Sequence, residues 1–172
     1  MPSVASRPDE RWATDLTHVW CGKDRRASLA VIIDCCTREI LGWRLSANGS
    51  KTAEAALEEA LIYRLGALGR VQQPLALRSD NGLVFSSRHY NTGTVKAYGL
   101  TQEFTTPYTP EQNGLVERFF RSLKEECIWL HRFESLGQTR VVIDRWIRYY
   151  NEERPHQSLD YVAPRAHPAL AA

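Results

Sequence analysis

The sequence predicts an α/β domain in which helices flank a five-stranded mixed sheet. Three runs with strand patterning follow one another before residue 46, and short apolar runs then alternate with longer stretches of helical period. The length of 172 residues and the 43% hydrophobic content are ordinary for one compact domain with a single sizeable core.

Alternating residues predict the first strand over 12–20. Trp12 and Leu16 fall on one side of this strand, whereas Asp15 falls on the other side among small residues. The apolar run 28–34 and the run 39–45 predict two further strands, each reached through a short turn. We therefore expect three consecutive antiparallel strands.

The middle of the chain predicts two helices and the last two strands. The first helix is capped by Ser50, carries apolar residues at steps of three and four, and ends at Gly69. Residues 74–78 predict a fourth strand that ends in a polar turn. Residues 86–98 predict a helix, and residues 100–104 predict the fifth strand.

Two amphipathic helices are predicted after a loop at 105–114. The second covers about 138–151. The first has one apolar stripe, formed by Val116, Phe120, Leu123, Cys127 and Leu130. We divide the chain into a tail at 1–11, a core domain at 12–153 and an irregular extension at 154–172.

Composition excludes some classes of protein and leaves others open. The 22 Lys and Arg residues nearly balance the 20 Asp and Glu residues, so the net charge of +2 neither requires nor excludes a nucleic-acid partner. The longest apolar run, 29–33, is far too short to span a membrane, and no signal peptide is visible. The four cysteines lack metal or redox spacing and are interpreted as reduced thiols, which favours a cytoplasmic location.

Three acids lie at the edges of predicted elements: Asp15 on the first strand, Asp80 after the fourth, and Glu117 on the rim of the first amphipathic helix. Converging carboxylates without His or Cys form an all-oxygen site of the kind that holds Mg²⁺ or Mn²⁺. Two such ions can stabilise both the attacking and the leaving oxygen of a phosphodiester. Taken singly, the acids also fit a surface residue, an Asp-Asn-Gly turn and a solvated helix charge.

The sequence resembles the retroviral-integrase-like catalytic core of bacterial insertion-sequence transposases in five ordered segments that cover nearly the whole chain. These segments are WATDLTHV (12–19), VIIDCCTREILGW (31–43), RSDNGLVFSS (78–87), TPYTPEQNGLVERFFRSLKEE (106–126) and YYNEERPHQSLDYVAP (149–164). The resemblance implies an RNase H-like fold and a DDE triad of Asp15, Asp80 and Glu117 that binds Mg²⁺ or Mn²⁺, with two ions when DNA is bound. The 36 residues between Asp80 and Glu117 are one more than is common in the family, which we interpret as a loop difference.

The resemblance also implies residues that contact DNA. It places Lys124 at a position that contacts the transposon end, with Arg121 on the same face of the helix. Asn113 and Gly114 resemble the family's mobile active-site loop, which positions DNA. For Arg121 and Lys124, pairing with acids one turn away on a solvated helix face is the alternative. Arg154-Pro155-His156 resembles a family signature for which the sequence offers no mechanism.

The implied activity is metal-dependent nicking and strand transfer on double-stranded DNA during transposition and integration. Family members act as multimers, so a homo-oligomer associated with the bacterial nucleoid is expected. No helix-turn-helix or zinc motif precedes residue 12, and recognition of particular DNA ends is therefore expected from a separate segment or chain. The alternatives are a non-catalytic remnant, an oligomerisation or DNA-binding module with the same fold, and a related RNase H-like nuclease.

Overall fold

The computed structural model describes residues 5–106 and 109–171. Its central sheet has five strands: β1 (Arg11–Trp20), β2 (Arg26–Asp34), β3 (Ile40–Ser46), β4 (Ala76–Ser79) and β5 (Thr101–Phe104). The strand order is β3-β2-β1-β4-β5. The first three strands are antiparallel, whereas β4 is parallel to β1 and β5 is parallel to β4. The predicted mixed sheet of three antiparallel strands plus two is confirmed.

Helices cover both faces of this sheet. The α-helices are α1 (Gly49–Leu65), α2 (Leu83–Ser86), α3 (Gly114–Glu126) and α4 (Leu136–Glu152), and a π-type segment spans His89–Val95. Short 3₁₀ turns occupy Gly22–Asp24, Pro110–Gln112, Ile128–Leu130, Gln157–Leu159, Pro164–Ala166 and Pro168–Leu170. The two predicted amphipathic helices thus correspond to α3 and α4.

Alternation along the strands divides the core into two halves. Ala13 of β1 and Val31 of β2 pack with α3 and α4 on one face of the sheet. Trp12 and Ile32, their neighbours in sequence, pack with α1 on the other face. Because side chains two residues apart point the same way, Asp15 lies on the α3 side, as the alternation predicted.

The caps of α1 differ from the predicted ones. Asn48, not Ser50, is the N-cap, because its backbone is extended and its side chain accepts a hydrogen bond from the N–H of Lys51 at 3.3 Å. The C-cap is Gly66 in the left-handed conformation with φ 82°, not Gly69. Asn and Ser both suit an N-cap, so the path of the backbone after β3 decides between them.

Two other helical predictions were wrong in extent. The helix predicted over 86–98 is the shorter π-type segment His89–Val95, and α2 (Leu83–Ser86) comes before it as a separate helix. Ser87 between them is extended, and its hydroxyl accepts a hydrogen bond from the N–H of Tyr90. The apolar stripe of α3 was predicted to include Leu130, which is 71% exposed. The helix ends at Glu126, so the helical spacing does not extend to that residue.

Both ends of the described chain meet at one cluster of buried charges. Arg64 of α1 lies 2.8 Å from Asp9 and 3.3 Å from Glu39, and Glu39 is 1% exposed. Arg165 also bonds to Glu39, at 3.0 Å. Residues before β1 and after α4 therefore contact the same two buried side chains. The domain bounds 1–11, 12–153 and 154–172 stay a prediction.

Among the described residues, no helix is long and apolar enough to cross a membrane. All four cysteines are free thiols, and three of them are buried. This is consistent with their interpretation as packing residues, since a buried free cysteine behaves as a small apolar side chain.

The contact between β3 and α1 generates the first prediction. A Cβ at Gly42 would overlap the carbonyl of Ala56 and lie 2.7 Å from the nitrogen of Ala60. Gly42→Ala is expected to lower the free energy of unfolding by about 1–3 kcal/mol, because α1 must move off the sheet. Urea unfolding measures this. Gly69→Ala, where the added carbon meets open space, is the control, and equal losses in both variants would contradict the close contact.

Candidate active site

Asp15 lies in the middle of β1, the central strand of the sheet. Its backbone pairs with Val31 of β2. One carboxylate oxygen, Oδ1, accepts from the N–H of Leu16 at 2.7 Å. The other, Oδ2, accepts from the side-chain amide of Asn113 at 3.4 Å. Both oxygens are therefore oriented, and each keeps a lone pair for a further ligand.

Asp80 follows the last residue of β4, which runs parallel to β1. The paired residues include Ala13 with Arg78, so counting on by two positions along both strands brings Asp80 beside Asp15. The N–H of Gly82 donates to Oδ1 of Asp80 at 2.9 Å. A Cβ at Gly82 would lie 2.8 Å from that oxygen, so the turn that holds Asp80 is tight.

Glu117 reaches the same region from α3. Asn113 is the N-cap residue of this helix, but its side chain bonds to Asp15 and makes no cap hydrogen bond. The N–H of Glu117 donates to the carbonyl of Asn113 at 3.2 Å, which places Glu117 one turn into the helix. Glu117 is exposed, whereas Asn113 is buried and its Oδ1 has no hydrogen-bond partner among the described residues.

The ionisation of Asp15 is affected by the charges of the two other acids. Its pKa rises from 3.8 to about 6. Burial is the largest cause, and the negative charges of Asp80 and Glu117 act in the same direction. The hydrogen bonds from Leu16 and Asn113 act against the rise. Asp80, directly after β4, and Glu117 of α3 thus add negative charge around the carboxyl group of Asp15 in β1, which resists ionisation.

The donor set fits a hard divalent cation. The three side chains offer carboxylate oxygens, the ligands that Mg²⁺ and Mn²⁺ prefer. A bound cation would offset the burial and the repulsion that together raise the pKa of Asp15. Within residues 5–106 and 109–171, no group of three or more His, Cys, Asp or Glu side chains is placed so that it could hold a metal ion. The ligand chemistry of the three acids therefore fits a divalent metal, but their side chains are not arranged as a metal site in this structure.

Arg78 links the sheet to the loop before α3, and sequence reasoning missed this. It is 3% exposed. Its Nη2 lies 3.2 Å from Glu103 of β5, and its Nη1 donates to the carbonyl of Gln112 at 3.3 Å. Gln112 precedes Asn113, so Arg78 helps to set where α3 begins. A basic residue directly before Ser79-Asp80 was visible in the sequence, but its partners lie 25 and 34 residues away.

The predicted DNA-contacting residues lie at the start of α3 and further along it, away from Asp15. Arg121 is on the exposed face of α3 and pairs with Glu125 at 2.9 Å, which is the i,i+4 pair considered as its alternative. Lys124 is half-buried and lines a cleft with Trp20, at the far end of β1. Gly114 is the first residue of α3, and a Cβ there would meet open space. Part of the predicted loop, residues 107–108, lies outside the described residues.

Comparison with known proteins identifies relatives of this chain. One model of the integrase core domain matches residues 5–110, and a second model of the integrase core domain matches residues 98–164. An uncharacterised protein of insertion element IS136 from Agrobacterium fabrum is 33% identical over 166 residues, covering 94% of this chain and 84% of the relative. The putative transposase InsK for insertion sequence IS150 from Escherichia coli is 29% identical, covering 93% of this chain and 54% of the relative.

The chain spans about half the length of other relatives. A 39.2 kDa uncharacterised protein of insertion element IS476 from Xanthomonas euvesicatoria is 32% identical, and the match covers 94% of this chain but 44% of that protein. For a protein of insertion element IS407 from Burkholderia multivorans, the share of the relative covered is 56%.

Solved structures identify the fold. The catalytic core of BIV integrase superposes with a TM-score of 0.63 at 20% identity, covering 91% of each chain. The HTLV-2 integrase catalytic core, described in complex with magnesium, gives a TM-score of 0.62 at 18% identity over 95% of this chain and 98% of that one. These are RNase H-like folds, so the predicted fold class is confirmed. With the two family matches, the sheet topology and the IS136 relative in agreement, the chain belongs to the integrase core domain family.

Proposed function

We propose that this chain is the catalytic core of a DDE transposase, a polynucleotidyl transferase that nicks double-stranded DNA and joins the released 3′ end to a target. The observation that supports the proposal is that Asp80 and Glu117, which come from two other elements, both act on the carboxyl group of Asp15: their negative charges raise its pKa, although burial is the larger cause. A surface residue, a plain turn and a solvated helix charge have no reason to share one place in the fold.

Asp15, Asp80 and Glu117 would hold the divalent cations, Mg²⁺ or Mn²⁺, with two ions when DNA is bound. When bound, the ions supply positive charge at the attacking and leaving oxygens of the phosphodiester. The protein supplies orientation. The N–H groups of Leu16 and Gly82 and the amide of Asn113 fix carboxylate oxygens of Asp15 and Asp80 before any ligand arrives.

DNA would approach the exposed face of α3. Lys124 lies seven residues after Glu117, which returns its side chain to the same side of the helix about 10 Å further along. Together with Arg121, it offers positive charge to a strand whose scissile phosphate lies at the triad. Asn113 and Gly114 would position that strand at the start of the helix.

The proposed partners are DNA and further copies of this chain. Double-stranded DNA, both the element ends and the target, is the proposed substrate. Joining two ends requires a homo-oligomer. HTLV-2 integrase cores are described in dimeric and trimeric forms. Recognition of particular ends is assigned to a separate segment or chain, since the match covers 44% and 56% of two relatives. The proposed location is the bacterial cytoplasm, in association with the nucleoid.

The triad generates an activity prediction. Asp15→Asn and Glu117→Gln are each expected to lower Mn²⁺-dependent nicking and strand transfer on a short duplex at low salt by at least about 100-fold, because each removes a charged ligand. Asp144→Asn is the matched control, since Asp144 lies on α4 and pairs with Arg148. Activity retained by both triad variants would refute the assignment. Metal binding and DNA binding without any activity would favour a non-catalytic module.

The pKa of Asp15 generates a stability prediction for the metal-free protein. Because the folded-state pKa of about 6 lies above the unfolded value of 3.8, the folded state binds more protons between these pH values. The contribution of protonated Asp15 to the stability of the folded state is therefore fully present below pH 3.8 and is lost as the pH rises through 6. Asp15→Asn removes the buried charge together with its repulsion by the other acids. It should therefore raise the melting temperature by several degrees at pH 8, up to about 3 kcal/mol of unfolding free energy, and by much less at pH 4.5.

Thermal melts in EDTA at the two pH values measure this difference, and Asp144→Asn again serves as the control. Equal effects of Asp15→Asn at both pH values would contradict the charge repulsion. Adding millimolar Mn²⁺ at pH 8 should then raise the melting temperature of the unmodified chain more than that of Asp15→Asn, because a ligand stabilises the state that binds it.

A further inference from the structure

A second charged cleft lies on the flank of α3, outside the three acids. It has a volume of about 720 Å³ and is lined by residues from α3, from the turn after β2 and from the segment after α4. Three arginines line it: Arg38, Arg118 and Arg154. Glu111 is the one acid among the described lining residues, so the cleft, here called the arginine cleft, carries a net positive charge.

Arg38 is held in this cleft at a conformational cost. Its φ of 66° is left-handed, a region that arginine rarely adopts. The turn is fixed by Asp34, whose Oδ1 accepts from the N–H groups of Cys36 and Thr37 at 2.8 Å each. The buried Nε of Arg38 has no hydrogen-bond partner in the described chain. A buried, unsatisfied guanidinium donor is costly unless a ligand accepts from it.

The other two arginines add charge to the same space. Arg118 is exposed, makes no ion pair with any described residue, and repels the charge of Arg38. Arg154 is fixed in place: its Nε lies 2.9 Å from Glu126, and its guanidinium lies 5.8 Å from the ring centre of Tyr150. Glu126 neutralises Arg154, and Glu111 lines the cleft. Arg38 and Arg118 have no ion pair with a described residue, and the positive charge that remains favours an anion as the occupant.

The start of α3 opens onto the same cleft. Gly114 lines it, and the N-cap side chain of Asn113 leaves the first N–H groups uncapped because it bonds to Asp15 instead. Unbonded amides at the start of a 13-residue helix carry partial positive charge. The first turn of α3 therefore borders the candidate active site through Asn113 and the arginine cleft through Gly114.

We propose that the arginine cleft binds a backbone phosphate of the DNA strand, as a subsite next to the scissile phosphate. The proposal rests on the proposed function for its choice of DNA. A guanidinium group matches phosphate oxygens in geometry as well as charge. Successive phosphates of one strand advance only about 3.4 Å along the duplex axis, so a strand that crosses the start of α3 presents phosphates to both sites. The subsite also gives Arg154, of the Arg154-Pro155-His156 segment, a role.

The test measures binding of a fluorescent 20-base-pair duplex by anisotropy in EDTA, so that no cleavage occurs, over a series of salt concentrations. Arg38→Gln and Arg118→Gln should each reduce the slope of log K against log salt by about one, the value for one lost phosphate contact. Arg118 is exposed, so its variant retains the fold even if Arg38→Gln is unstable. Arg148→Gln is the matched control, because Arg148 is exposed on α4 and lies outside the cleft.

Unchanged slopes in both variants, or no duplex binding by the unmodified chain, would overturn the proposal. A second arm uses inorganic pyrophosphate: if it raises the melting temperature of the unmodified chain but not of Arg118→Gln while the DNA slope is unchanged, the cleft binds free phosphate and the DNA assignment fails. Nicking assays report on the proposed function separately. If the unmodified chain nicks DNA but the salt slopes of the two variants are unchanged, only the phosphate subsite in the arginine cleft is rejected. If the slopes are reduced but the unmodified chain does not nick DNA, only the proposed activity is rejected.

Discussion

The pairing of β1 on both of its edges is the constraint on which the site depends. Pairing with antiparallel β2 and parallel β4 fixes the register and direction of β1. Because side chains alternate along the strand, Asp15 then faces α3. A shift of one residue in either register would send Asp15 into the apolar half of the core that contains Trp12. The parallel neighbour, β4, ends next to the middle of β1, so the strand pairing alone places Asp80 beside Asp15. The chemistry of the site thus follows from strand register before any side-chain interaction is considered.

The third component, α3, is positioned by polar contacts rather than by the sheet itself. Arg78 donates a hydrogen bond to the carbonyl of Gln112. The side chain of the next residue, Asn113, bonds to Asp15 and does not cap its own helix. A helix start without a side-chain cap is less stable by about 1 kcal/mol. Because α3 lacks this cap, the amide groups of its first turn are left open toward the arginine cleft. Local stability and site geometry are coupled through that one asparagine.

Sequence patterns predicted what depends on neighbours along the chain. The alternation around Asp15 and the apolar runs of β2 and β3 gave the correct strands, and the spacing of Val116, Phe120 and Leu123 gave the buried face of α3. The patterns did not predict what depends on distant contacts: the choice of Asn48 over Ser50 as a cap, the break at Ser87, or the partners of Arg78. The left-handed backbone of Arg38 was also hidden, because it is imposed by the side chain of Asp34 and not by a glycine. The roles of the seven candidate site residues rest on the family resemblance and on this geometry together.

The charge cluster around Arg64 and Glu39 has a consequence for the motions of the domain. It joins Asp9 and Arg165, which lie at opposite ends of the described chain, through the same two side chains. When the last segment detaches, the buried carboxylate of Glu39 loses one of its two cationic partners, and when the first segment detaches, Arg64 loses one of its anionic partners. The first and last segments are therefore expected to open as one cooperative unit, whose backbone amides would exchange with solvent at a common rate although about 150 residues separate them.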